Sequence, residues 1–82
     1  MMRLKAVYVA KSEYKGKTLF PFWNNIKVGH YISFSVEIKP IGEYKPIIRV
    51  KNIATGEVFN DSMTRIHNYL LKIELEELEE LD

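Results

Sequence analysis

Between His30 and Ile38 the chain alternates without a break, with Tyr31, Ser33, Ser35 and Glu37 on one side and Ile32, Phe34, Val36 and Ile38 on the other. A period of two belongs to a strand, and the apolar side of such a strand must be buried. Residues 4–10 alternate too, Leu4, Ala6, Tyr8 and Ala10 against Lys5, Val7 and Val9, with apolar character on both faces. A third strand is predicted over 44–51, where Ile48 and Val50 oppose Ile47, Arg49 and Lys51. Pro46 has no N–H to give, which places that end at an edge or a strand start.

The connections follow from the breakers. Pro40-Ile41-Gly42 turns the chain, and Asn52-Ile53-Ala54-Thr55-Gly56-Glu57 reads as a hairpin closed by Gly56 in the left-handed region, with Val58-Phe59 as a short return strand. Asp61-Ser62 offers an N-cap, after which Ile66, Tyr69, Leu70 and Ile73 recur at helical spacing and Leu75, Leu78 and Leu81 extend an apolar edge. The expectation is a helix from about 63 to 80. A strand over Tyr69, Leu71, Ile73 and Leu75 is the alternative, because six acids at a helix C-terminus oppose its dipole and Glu76 repels Glu80. The expected fold is α+β, mainly β: a small, strongly curved antiparallel sheet or partly open barrel of four to five strands with a C-terminal helix.

Charge divides the chain. Residues 1–72 hold all 12 Lys and Arg against five acids, a formal +7, while residues 74–82 hold the other six acids and no base. The organisation read from this is a domain over 1–73 and an acidic Glu/Leu helical tail over 74–82. Such a field binds an acidic partner with the body, a basic partner with the tail, or one with the other inside the molecule. With 46% hydrophobic residues the chain has the material for a core and is not disordered by composition. It has no cysteine, which excludes disulfides and thiolate metal sites. The N-terminal run is too short for a signal peptide or membrane span, so the expected setting is the cytoplasm.

No motif carries catalysis. Gly16-Lys17-Thr18 matches the end of a phosphate-binding loop, but position 11 is Lys where that loop needs Gly, and a solvated loop is the simpler reading. His30 and His67 have no carboxylate at ligand spacing, and Ser12, Ser33, Ser35 and Ser62 lack the flanks of a nucleophile. No metal, cofactor or enzymatic activity is expected.

The stretch 11–29, read as a long loop, interleaves Lys11, Lys15, Lys17 and Lys27 with Tyr14, Phe20, Phe22 and Trp23. Cations beside aromatics hold single-stranded nucleic acid, and aromatic anchors also fill pockets on protein partners. A third reading makes Phe20, Phe22 and Trp23 a plug for one end of the sheet. The favoured site is a protein-binding one: Phe20, Phe22, Trp23 and Tyr14 as anchors, with Glu76, Glu77, Glu79 and Glu80 steering a basic partner such as a nucleic-acid enzyme. The alternative is a nucleic-acid-binding face of Lys15, Lys17, Lys27, Arg49 and Lys51, autoinhibited by the tail. Leu71, Leu75 and Leu78 also allow docking of a second copy as a homodimer.

Lys27-Val28-Gly29-His30-Tyr31-Ile32-Ser33-Phe34, then Ile47-Ile48-Arg49-Val50-Lys51-Asn52 and Thr55-Gly56-Glu57-Val58-Phe59, resembles small Src-homology-3-like β-barrel proteins of bacteriophages and mobile elements of Gram-positive bacteria. In these a Gly-x-Tyr strand start is followed by a Gly-turn hairpin and a Ser-capped helical turn, here Ser62. The resemblance spans residues 3–66 and implies a small barrel acting as a phage-encoded modulator or inhibitor of a host or defence protein. It carries over no site residues.

Overall fold

The computed structural model describes residues 3–16, 18–37 and 47–78. In chain order the elements are β1 (Arg3–Ala10), α1 (Pro21–Asn24), β2 (Tyr31–Glu37), β3 (Ile47–Asn52), β4 (Val58–Ser62), α2 (Met63–Leu70) and β5 (Leu75–Glu77). The five strands form one sheet in the order β4-β3-β2-β1-β5, every pair antiparallel. The fold is therefore mainly β, an open sheet not closed into a barrel, with a short helix between its last two strands. The expected turn at 40–42 and the start of the third strand at 44–46 lie outside the described residues.

Alternation sets the core. In β3, Ile48, Val50 and Asn52 are buried while Arg49 and Lys51 are exposed. The register carries that inner side across the sheet, setting Val50 between Phe34 and Phe59 and Ile32 between Tyr8 and Asn52. Ser62 caps α2 by accepting the Arg65 backbone N–H at 3.4 Å, as the sequence led us to expect, and Ile66 delivers the helix into the cluster with Ile48 and Val50. The β3–β4 hairpin closes with Gly56 at φ 79° and its N–H on the Asn52 carbonyl at 2.7 Å.

Two expectations need correction. The helix stops at Leu70 instead of running to 80, and the Glu/Leu run enters the sheet as β5, with Leu75 opposite Ala10 and Glu77 opposite Tyr8. An edge of β1 with unpaired backbone groups, two flanking apolar side chains (Ile73 buried, Leu75 half-buried) and mutual repulsion among helical glutamates together outweigh the run's helix propensity. Leu75–Glu77 are thus strand, paired along β1, and not helix.

The second correction concerns 11–29, read as a long loop with Phe22 and Trp23 among its partner-facing anchors: it carries the short helix α1, and both side chains are buried. Pro21 opens the single turn of α1, a position where its missing N–H costs nothing, and Phe22, Trp23 and Ile26 are all buried. Trp23 stacks on Tyr69 with centroids 4.9 Å apart and planes at 14°, and Phe59 meets Phe22, Trp23 and Tyr69 at 5.7, 5.6 and 5.5 Å. The aromatic run plugs one end of the sheet.

Candidate functional site

Because Phe22 and Trp23 are core, they present no surface to a partner in this structure. Of the four expected anchors, Phe20 is exposed at 41% and Tyr14 half-buried, and Leu19 beside Phe20 is 96% exposed. Glu76 and Glu77 lie on β5, and Lys17, Glu79 and Glu80 lie outside the described residues. The buried indole N–H of Trp23 has no acceptor among the described residues. That donor is a cost the aromatic cluster carries.

Glu74, just before β5, and Glu76 within it meet the lysines of the long connection. Glu74 accepts Lys15 Nζ at 3.0 Å, and Glu76 pairs with Lys11 at 3.2 Å. Backbone bonds run beside them: Lys11 N–H to Glu74 O at 2.8 Å, Leu78 N–H to Val7 O at 2.9 Å, and Glu74 N–H to Ser12 Oγ at 3.0 Å. Lys27 pairs with Glu13 at 3.7 Å. Lys15 and Lys27, two expected nucleic-acid contacts, are therefore engaged with carboxylates, and the charge segregation of the sequence is in part answered inside the molecule. These pairs are solvent-exposed, so each is worth at most about 1 kcal/mol.

What remains is the outer face of the sheet, opposite α2. The register lays Lys5, Ser35, Arg49 and Asn60 in one row across four strands, and Val7, Ser33, Lys51 and Val58 in the next. Val9 and Tyr31 follow, with Glu76 at the margin. Lys5, Arg49, Lys51, Tyr31 and Val58 are exposed, and none of the ion pairs among the described residues engages the three cations. Arg49 and Lys51 are two residues apart on one strand, about 6.7 Å, with Lys5 two strands over at about 9.6 Å. Arg49 and Lys51 were candidates from the sequence, and Lys5 was not. The alternation of residues 4–10 put it on this side, and only the pairing of β1 with β2 brings it beside Arg49.

His30 is structural. Its Nδ1 accepts the Lys27 N–H at 3.1 Å and faces Nδ2 of the fully buried Asn52 at 3.2 Å. Asn52 Oδ1 accepts the Ala54 N–H at 3.0 Å, which fixes the amide so that Nδ2 is the atom turned to the imidazole. With two donors on Nδ1, the ring proton sits on Nε2. No group of three His, Asp or Glu side chains among the described residues is arranged to hold a metal. Among these residues no helix is long and apolar enough to cross a membrane.

An apolar groove of about 490 Å³ also opens between α2 and the sheet, lined by Tyr8, Phe34, Ile48, Met63 and Leu70 among others. Lys5 is among its lining residues as well.

No family model, curated protein or solved structure matches this chain.

Proposed function

We propose that this chain is a small non-catalytic binding protein whose working surface is the open, basic outer face of its sheet, and whose ligand is single-stranded nucleic acid. One observation carries the reading: Lys5, Arg49 and Lys51, from strands β1 and β3, are exposed on one face around Ser33 and Ser35, and no ion pair among the described residues engages them. Cations spaced along and across strands follow an extended phosphate backbone, hydroxyls donate to its oxygens, and Tyr31 offers a ring for one base. Strand β5 and its acids are held at the margin, so the face is modulated by Glu76 and not blocked by a helix.

The test is fluorescence anisotropy with a labelled single-stranded oligonucleotide over a salt series. Three engaged phosphates predict that log K falls against log salt with a slope of about −2, and Arg49→Gln with Lys51→Gln reduces both affinity and slope. Unchanged binding in that double variant contradicts the reading.

A second reading has its own observation. Leu19 and Phe20 are adjacent, apolar and exposed at the tip of the long connection, as a contact with a protein partner requires. Modulation of a host or defence protein by a phage-encoded chain would use that tip. Replacing both by Ser separates the readings, since it leaves nucleic-acid binding intact and abolishes protein capture.

A further inference from the structure

On the α2 side of the sheet, away from the basic face, the long connection and α2 frame an open depression of about 390 Å³ lined by Tyr14, Thr18, Arg65, Asn68, Tyr69 and Lys72. Arg65, Asn68, Tyr69 and Lys72 fall at i, i+3, i+4 and i+7, the spacing that puts side chains on one face of a helix and its exit turn. Among the described residues no carboxylate lines it. We propose that this depression binds a phosphate group, free or as the monoester of a small molecule.

The inventory of groups is the first argument. Arg65 brings a planar fork of N–H donors, Lys72 an ammonium, Tyr14 and Tyr69 hydroxyls, and Asn68 an amide. Thr18 Oγ1 already accepts the Phe20 N–H at 3.2 Å, so its own hydrogen is free to donate inward. Among the described residues neither Arg65 nor Lys72 is in an ion pair, unlike Lys11, Lys15 and Lys27. A wall of donors with two cations and no anion fits a ligand that is all acceptor and carries two negative charges.

The second argument is that the ammonium is placed. A Cβ built on Gly16 would lie 3.3 Å from Lys72 Cδ and 3.6 Å from Nζ, so the lysine stem runs across a residue that has no side chain. The Lys15 N–H holds the Lys72 carbonyl at 2.6 Å, fixing the backbone from which the stem departs. Gly16 sits at φ 146°, where other residues are strained. The Tyr14 hydroxyl is held above its usual pKa by burial and then by Tyr69, which keeps it protonated as a donor at neutral pH. At 390 Å³ the depression exceeds the size of a bare oxyanion and leaves room for the organic part of a monoester.

The experiment follows backbone amide shifts of the isotope-labelled full chain titrated with inorganic phosphate, then phenyl phosphate, against sodium chloride at equal ionic strength. Saturable shifts at Thr18, Arg65, Asn68 and Lys72 with a millimolar Kd are expected. Tighter binding of phenyl phosphate identifies a monoester site, and equal binding a site for the free anion. Arg65→Gln and Lys72→Gln each weaken binding about tenfold, the loss expected for a charge-assisted hydrogen bond. Gly16→Ala weakens it with every charge retained, and unchanged Trp23 fluorescence certifies that the variants are folded. Shifts no larger than those in chloride, or undiminished in Arg65→Gln and Lys72→Gln, overturn the proposal.

Discussion

Trp23 lies flat against Tyr69, 4.9 Å away, and joins the connection after β1 to the helix after β4. The two residues are 46 positions apart in sequence, so the contact is one of the ties that make the long connection part of the core. Trp23→Ala removes the stack and leaves a cavity, at a cost of about 3–5 kcal/mol. In a chain of this size that is most of the stability, and thermal melts followed by circular dichroism are expected to show a largely unfolded protein at room temperature. Trp23→Phe keeps much of the volume and removes the unpaired indole N–H, so it is expected to lose under about 2 kcal/mol. A folded Trp23→Ala variant with an unchanged melt contradicts this assignment.

Asn52 is the buried polar residue on which the β3–β4 turn and the start of β2 meet. Asn52→Ala removes the partner of the Ala54 N–H and one donor to His30 Nδ1, and costs about 1–3 kcal/mol. Hydrogen exchange reads it locally: the Ala54 amide becomes fast while amides at the centre of β1 and β2 keep their relative protection.

In β5, burial outweighs charge. Glu74→Gln or Lys15→Gln breaks an exposed pair and is expected to change stability by less than about 1 kcal/mol, with little response to salt. Ile73→Ala empties a buried site and costs about 2–4 kcal/mol. Equal effects in urea titrations of the three variants would show that charge holds β5 in place.

Tyr14 sets an alkaline limit. Its folded pKa lies above the ordinary 10.0, raised by desolvation and then by Tyr69. Raising the pKa favours the protonated form in the fold, so this stabilisation is complete below the unfolded value and is lost as pH rises through the folded one. Phenolate absorbance is expected to show a late-titrating component that is absent in Tyr14→Phe, and that variant loses less stability than the wild type as pH rises above the ordinary 10.0.

Much of the sheet was legible because it depends on local alternation. The period of two, found as a strand over Tyr31–Glu37, the Gly56 turn and the Ser62 cap need no tertiary information. The fate of 71–78 was not legible, since Leu71-Lys72-Ile73-Glu74-Leu75 satisfies both periods and the decision rests on an edge of β1 some 65 residues upstream. Burial of Phe22 and Trp23 likewise depends on Phe59 and Tyr69 arriving from distant elements. Of the basic face, Arg49 and Lys51 were visible as alternate residues of one strand, whereas Lys5 joins them only through the β1–β2 register. The Arg65, Asn68, Tyr69 and Lys72 spacing was present in the sequence, and the wall from Tyr14 and Thr18 that makes it a depression was not.

The basic face is tested most directly by titrating the isotope-labelled chain with a short single-stranded oligonucleotide and mapping which backbone amides move. The largest shifts are expected at Lys5, Tyr31, Ser33, Arg49 and Lys51, reversed by salt and absent in the Arg49→Gln/Lys51→Gln variant. Shifts confined to Leu19 and Phe20, or no saturable shifts at all, would contradict the account.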